Sequence, residues 1–251
     1  MLKRRIIPIE LLDSGRLVKT KRFDVPRDVG DPVKSSQVYS DQDADELVLL
    51  NICRTKRNVE ELIDAVTQIS QECFVPLTVG GGISSLKDAS KIIDKGADKV
   101  LVNSAVYKNS NLIKEIAEQY GRQAVVVGVD VRFQGGEYVL YSNCGRHQEM
   151  IPLEAHISRL VRGGAGEIMI QSIDRDGTMT GYDLELLNIL TEISSIPVII
   201  AGGPGDFIHL KEAFDGGADA AACGSLFNFG DNNPLRAKAF LKNYSIPLKR
   251  I

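Results

Sequence analysis

The chain has 251 residues, with 30 lysines and arginines against 33 aspartates and glutamates, a formal charge of -3, and 43% hydrophobic residues. That length buries a core without disulfides or metals, and a near-neutral balance without a basic run speaks against a nucleic-acid surface, which needs concentrated lysine and arginine. The apolar stretch behind the basic start, Ile6 to Ile9, is far too short for a signal peptide or a membrane span, so a cytoplasmic chain with no membrane partner is expected.

Strand-length apolar runs alternate along the chain with helix-length amphipathic segments, the pattern of parallel strands joined by crossover helices. A strand is predicted over 5–9, then a helix opening at Asp31-Pro32, an N-cap followed by proline at the first helical position. Next come a strand over 46–52 with a helix over 59–70, and a strand over 75–79 with a helix over 86–95. The strand over 99–102 leads to a helix over 112–120, and the strand over 124–130 to a helix over 153–162. The strands over 167–172, 197–201 and 219–223 complete the set, with helices over 184–193 and 207–215 between them. Gly96, Gly163 and Gly216 are read as helix stops. Eight such units in this length predict one closed (β/α)8 barrel, a TIM barrel, forming a single domain over 1–251.

An offset of 121 superposes Glu46 on Glu167, Arg54 on Arg175, Pro76 on Pro197, Gly81-Gly82 on Gly202-Gly203, Asp98 on Asp219 and Ser104 on Ser225. Charged residues and proline match in the same register as the glycines, so two related half-barrels, about 1–121 and 122–251, are expected. Glycine-rich turns follow the third and seventh strands, and Asn103-Ser104 and Gly224-Ser225 follow the fourth and eighth. Such turns bring backbone N–H groups and helix N-termini close to an anion. The repeat therefore predicts a ligand with a phosphate at each end, one at Gly81, Gly82, Asn103 and Ser104, the other at Gly202, Gly203, Gly224 and Ser225.

Cys53, Cys73, Cys144 and Cys223 form no C-x-x-C pair, and His147, His156 and His209 stand apart, so no metal site or histidine triad is expected. Cys223 reads as core packing rather than a nucleophile, and the 135–149 segment after the fifth strand as a hairpin lid.

Arg5-Ile6-Ile7-Pro8, Val79-Gly80-Gly81-Gly82-Ile83, Gly96-Ala97-Asp98-Lys99-Val100 and Ser172-Ile173-Asp174-Arg175-Asp176-Gly177-Thr178 resemble the cyclase subunit of imidazole glycerol phosphate synthase, over nearly the whole chain. The resemblance implies a cofactor-free barrel that receives ammonia from a glutaminase docked at the N-terminal face, around Asp98 and Lys99. The ammonia would attack a bisphosphorylated aminoimidazole precursor at the far face. It assigns an ammonia gate to Arg5, Glu46, Lys99 and Glu167, ligand binding to Lys19, Gly177 and Thr178 besides the glycine turns, and chemistry to Asp130 and Asp176. Strand parity lets Arg5, Lys99 and Glu167 face the axis, whereas Glu46 and Asn51 have opposite parity.

The sequence departs from this family at the C-terminal mouth. Leu11 replaces the family's first-strand aspartate, Asn51 the second-strand aspartate, Gln171 a threonine and Ala201 a serine. Leucine transfers no proton, so a diverged paralogue delivering ammonia to another acceptor is the leading expectation, for example sugar amidine formation in surface polysaccharide synthesis. The alternative is a working histidine-biosynthesis cyclase in which Asp13 or Glu10 replaces the missing acid.

Overall fold

The computed structural model describes residues 3–55 and 57–249. Its eight barrel strands are β1 (Arg5–Asp13), β2 (Leu47–Asn51), β3 (Leu77–Gly80), β4 (Lys99–Val102), β5 (Val125–Gln134), β6 (Glu167–Ser172), β7 (Val198–Ala201) and β8 (Ala220–Cys223). All neighbours are parallel, β8 pairs β1, and β5 pairs β6, so the sheet closes on itself. This is the expected (β/α)8 barrel. Among the described residues one longer helix follows each strand, α1 (Pro32–Asp41), α2 (Glu60–Glu72), α3 (Leu86–Asp94), α4 (Leu112–Tyr120), α5 (Leu153–Gly163), α6 (Leu184–Ile193), α7 (Phe207–Asp215) and α8 (Pro234–Lys242), with short helical turns at Ser104–Lys108 and Ser225–Asn228 directly after β4 and β8. Asp31 caps α1 through Lys34 N–H, with Pro32 opening the helix as predicted. Gly216 caps α7 as predicted, followed by Gly217 at positive φ (96°), whereas α5 runs through Gly163 to a left-handed cap at Gly164 (φ 103°).

The strands separate two cores. Residues pointing outward from the sheet, such as Ile6, Leu49, Val127 and Ile170, pack under the helices. Residues pointing inward, including Ile7, Val48, Leu101, Val126, Met169 and Ile199, fill the barrel axis. The interior is thus packed rather than an open bore, the usual state of this architecture.

The 121-residue offset reappears in the hydrogen bonding. Asp98 accepts from Leu77 N–H (2.8 Å) and Asp219 from Val198 N–H (3.0 Å), each tying the start of one strand to the start of its neighbour. Asp98 is therefore a strand fastener, whatever else it contacts.

Two hairpins lengthen the expected first and fifth strands. Ser14 and Gly15, both at positive φ (52° and 75°), turn β1 back on Arg16–Lys19, which pairs in turn with Arg27–Gly30. Two residues at positive φ are what a tight hairpin with the right-handed strand twist requires. Gly135-Gly136 does the same after β5, giving the antiparallel Glu137–Ser142 strand of the predicted lid, which His147–Gln148 extends. The sequence signal for the first hairpin is Asp13-Ser14-Gly15-Arg16, beyond the strand predicted over 5–9.

Candidate active site at the two ends of the barrel

At the N-terminal end, Arg5, Glu46, Lys99 and Glu167 meet in a closed ring of alternating charge. Arg5 contacts Glu46 (2.8 Å) and Glu167, and Lys99 contacts Glu46 (2.9 Å) and Glu167 (2.6 Å). Thr78 Oγ1 donates to the remaining Glu46 oxygen (2.6 Å). Glu46 is 2% and Glu167 8% exposed, so neither carboxylate is a solvated strand-start charge. Burial alone would push Glu167 up, but hydrogen bonds and charge from Arg5 and Lys99 hold it below the usual carboxylate range. The parity difference resolves without a bulge. Val48 and Leu50 face the axis, which brings Glu46 inward and turns Asn51 away.

Asn51 consequently serves the loop that follows it. Its amide nitrogen donates to Asn58 C=O (3.1 Å) and its oxygen accepts from Cys53 N–H (2.9 Å). It contributes no group to the mouth.

At the C-terminal end, Asp130, Gln171 and Ala201 occupy neighbouring register positions on β5, β6 and β7. Asn103 Nδ2 donates to Asp130 Oδ2 (2.8 Å). Burial raises Asp130 to about 7, a value suited to accepting or returning a proton near neutral pH. Asp176 is raised as well, chiefly by burial, although it accepts from Thr20 Oγ1 (3.1 Å), Gln171 Nε2 (3.2 Å) and Phe23 N–H (3.4 Å). Leu11 packs on the interior cluster and Ala201 belongs to it, so at this level of the barrel the first and seventh strands present hydrocarbon to the axis.

Lys19 is not a solvated side chain. It ends the Arg16–Lys19 strand, is 4% exposed, and donates from Nζ to Ile9 C=O (2.6 Å). Burial lowers it to about 8, against the opposing pull of Glu10 and Asp176. Gly224 makes room for it, because a Cβ there would lie 2.5 Å from Lys19 Nζ.

One pocket gathers Lys19, Gly177, Gly202, Gly203, Gly224 and Ser225. Leu11, Gln171 and Asp176 line the same pocket. Gly202 and Gly203 sit at positive φ (83° and 116°), which other residues rarely adopt. The matching set, Gly81, Gly82, Asn103 and Ser104, is built differently. A Cβ on Gly81 would fall 2.1 Å from Asn51 O and one on Gly82 2.7 Å from Asn58 Cα, so these glycines admit the neighbouring chain. Ser104 accepts from Asn143 N–H at the lid tip (2.9 Å). Thr178 donates to its own loop at Arg175 C=O (2.7 Å).

Of the two carboxylates offered as substitutes for the first-strand acid, Glu10 is turned from the axis and Asp13 lies in the hairpin turn. Glu10 is buried against α1, where Ser36 donates to it, and burial raises it. Asp13 accepts from Ser14 Oγ (3.1 Å) in the hairpin turn. Cys223 is buried, and burial pushes its thiol up to about 12, which fits packing rather than nucleophilic attack.

Sequence reasoning missed Arg57, whose guanidinium holds the lid tip through Cys144 Sγ (2.6 Å) and Asn143 Oδ1 (2.6 Å). It also missed the buried His156 ring stacked on Tyr107, with centroids 4.5 Å apart.

The family model described as "Histidine biosynthesis protein" matches residues 5–233. The chain belongs to this family. Three relatives named "Imidazole glycerol phosphate synthase subunit HisF" align end to end with it. The protein of Streptococcus mutans is 40% identical over 251 residues, covering 99% of this chain and 100% of its own. That of a Thermotoga species is 39% identical over 249 residues, covering 99% and 98%, and that of Alkaliphilus metalliredigens 42% over 252 residues, covering 100% of both. This chain is a homologue of that synthase subunit. Among the described residues, no helix is long and apolar enough to cross a membrane.

Proposed function

We propose that this family member works as the ammonia-using cyclase of an imidazole glycerol phosphate synthase, in histidine biosynthesis. A glutaminase docks at the N-terminal face near Asp98 and Lys99, and ammonia enters at the Arg5, Glu46, Lys99 and Glu167 ring. Beyond the ring lies hydrocarbon, which admits neutral ammonia and opposes ammonium because an unpaired charge there is costly to desolvate. A phosphorylated aminoimidazole precursor lies across the mouth, with one phosphate at Gly202, Gly203, Gly224 and Ser225 and the other at Gly81, Gly82, Asn103 and Ser104. Asp130 exchanges protons during ring closure. Neither Glu10 nor Asp13 lines the pocket beside Leu11, and Asp176 and Lys19 are the titratable groups that do. The observation that carries this reading is the placement of the ion ring and Asp130 at opposite ends of one barrel axis, in a chain that aligns over full length with subunits of that name.

A second reading is favoured by Leu11 alone. Without a first-strand carboxylate, the ring and barrel would pass ammonia to a different acceptor, and this chain would be a diverged paralogue acting as conduit, for instance in making a sugar amidine for a surface polysaccharide. The discriminating experiment is turnover of the ribulosyl aminoimidazole precursor by the purified chain with ammonium salts. Turnover that Asp130→Asn abolishes supports the cyclase. No turnover by a chain that forms a complex with a glutaminase and stimulates glutamine hydrolysis supports the second reading.

A further inference from the structure

Of the four buried side-chain atoms that have no hydrogen-bond partner among the described residues, three lie on one side of Asp130: Asn103 Oδ1, Tyr107 OH and His156 Nε2. Asn103 follows β4 directly, Tyr107 belongs to the short helical turn Ser104–Lys108, and His156 lies in the first turn of α5. The rings of Tyr107 and His156 are 7° from parallel, with centroids 4.5 Å apart. Arg159 ties α5 to the turn, with Nη2 donating to Val106 C=O (3.4 Å) and to His156 Nδ1 (3.1 Å).

The contact from Arg159 fixes the tautomer of His156. A guanidinium only donates, so Nδ1 carries the lone pair and the proton sits on Nε2. Burial lowers His156 to about 4, so near neutral pH the ring is uncharged and presents one buried N–H without an acceptor. Asn103 has the opposite need. Its Nδ2 donates to Asp130, while Oδ1 accepts nothing. The two ends of an amide have nearly the same shape, so a donor to Oδ1 would hold the group in the orientation that stabilises ionised Asp130. The Tyr107 hydroxyl both gives and takes a hydrogen bond. One donor, one acceptor and one hydroxyl match what a buried water offers, since such waters make about three hydrogen bonds to buried polar groups that otherwise lack partners.

We propose that Tyr107 and His156 hold a buried water against Asn103 Oδ1, and that they are positioning residues acting on Asp130 through the Asn103 amide. The inference rests on the reading of Asp130 as the group that exchanges protons. Asp176 after β6, Arg57 after β2 and Cys144 at the lid tip also act on Asp130, and Glu149 and Arg159 act on Tyr107. Tyr107, whose hydroxyl is pushed far up by burial, and His156 are both uncharged near pH 7. Replacing either one therefore changes no charge around Asp130, and a shift in its titration is carried by hydrogen bonding.

The test is an NMR titration of the full chain with carbon-labelled aspartate carboxyls, the Asp130 signal being identified by its loss in Asp130→Asn. Tyr107→Phe removes the hydroxyl and His156→Phe the ring nitrogens, and each keeps an aromatic ring in the stack. Each should raise the Asp130 midpoint by about half a pH unit, a threefold weaker ionisation. The two together should shift it no further than the larger single change, because both act on one water. His156→Gln keeps an N–H donor and should shift it by less than His156→Phe. A crystal structure of the unaltered chain should show an ordered water within hydrogen-bond distance of Asn103 Oδ1, Tyr107 OH and His156 Nε2. A site without water, a midpoint unmoved in both variants, or shifts that simply add would overturn the proposal, and lower stability with an unmoved midpoint would leave these rings a packing role only. The midpoint and the water are read without turnover, so a chain that fails to cyclise the precursor leaves this test standing, and failure here leaves the cyclisation assay standing.

Discussion

The two ends of the barrel are made of similar residue types and behave in opposite ways. At the N-terminal end every charge has two opposite neighbours within hydrogen-bond distance, and the ring is complete without any ligand. At the C-terminal end Asp130 and Asp176 are held by neutral amides and a hydroxyl, both are raised by burial, and of the lysines and arginines lining the 930 Å³ cavity at this mouth only Arg132 has a carboxylate partner among the described residues. A satisfied ring needs no ligand to balance its charges, whereas the mouth keeps titratable groups without a charged partner. The difference separates architecture from chemistry within one fold.

The largest expected effect tests the mouth. Asp130→Asn keeps the shape and the contact with Asn103 but removes the proton acceptor, and should lower cyclisation by about 10² to 10⁴-fold. In the wild-type chain, the step that needs ionised Asp130 should rise with pH through about 7. A flat profile, or full activity in the variant, would make Asp130 a bystander.

Next comes the ring, where removal of one member leaves an uncompensated buried charge. Glu46→Gln should cost about 3 to 5 kcal/mol in urea unfolding, whereas replacing all four members by apolar residues should cost far less. A single substitution costing under about 1 kcal/mol would mean that the ring is as solvated as an ordinary surface pair.

Acid sensitivity sharpens the contrast further. His156 is buried neutral with its pKa lowered to about 4, chiefly by burial, while the unfolded chain protonates near 6.5. The unfolded state therefore binds more protons as pH falls from 6.5 to 4, and stability drops across that window by up to about 3 kcal/mol. Glu167, held below its ordinary value, adds a loss at still lower pH, as the pH falls through its folded pKa. Asp130, raised, has the opposite sign: it favours the folded state in acid, and that advantage is lost as pH rises towards 7. His156→Phe in an Asp130→Asn background should flatten the upper window and leave the lower one.

The smallest effect is steric. Gly224→Ala, at an ordinary negative φ of -112°, should barely change stability, yet its Cβ displaces Lys19 Nζ from the Ile9 carbonyl. Phosphate affinity at that pocket should fall severalfold by calorimetry, and no change would place Lys19 outside the ligand's reach.

Much of this was legible beforehand for identifiable reasons. The eight strands and their helices follow from hydrophobic periodicity, because a strand packed on both faces reads as an apolar run. Their lengths were underestimated at Ile9 and Asp130, where hairpin partners extend β1 and β5 beyond the barrel layer. Parity turned Arg5, Lys99 and Glu167 toward the axis and let only one of Glu46 and Asn51 join them unless the second strand bulged or ended early. Glu46 joins them, and it is Asn51 that leaves the axis.

The sequence by itself determined the fold class, the internal offset of 121 and the glycine turns, because each depends on local spacing or residue type. Tertiary structure alone decided where Lys19 and Asn51 point, which carboxylates share a pocket, and that scattered lysines and arginines line one cavity. Those properties arise from segments far apart in the chain meeting at close range, where burial and neighbouring charge, absent from any linear pattern, set how each group behaves.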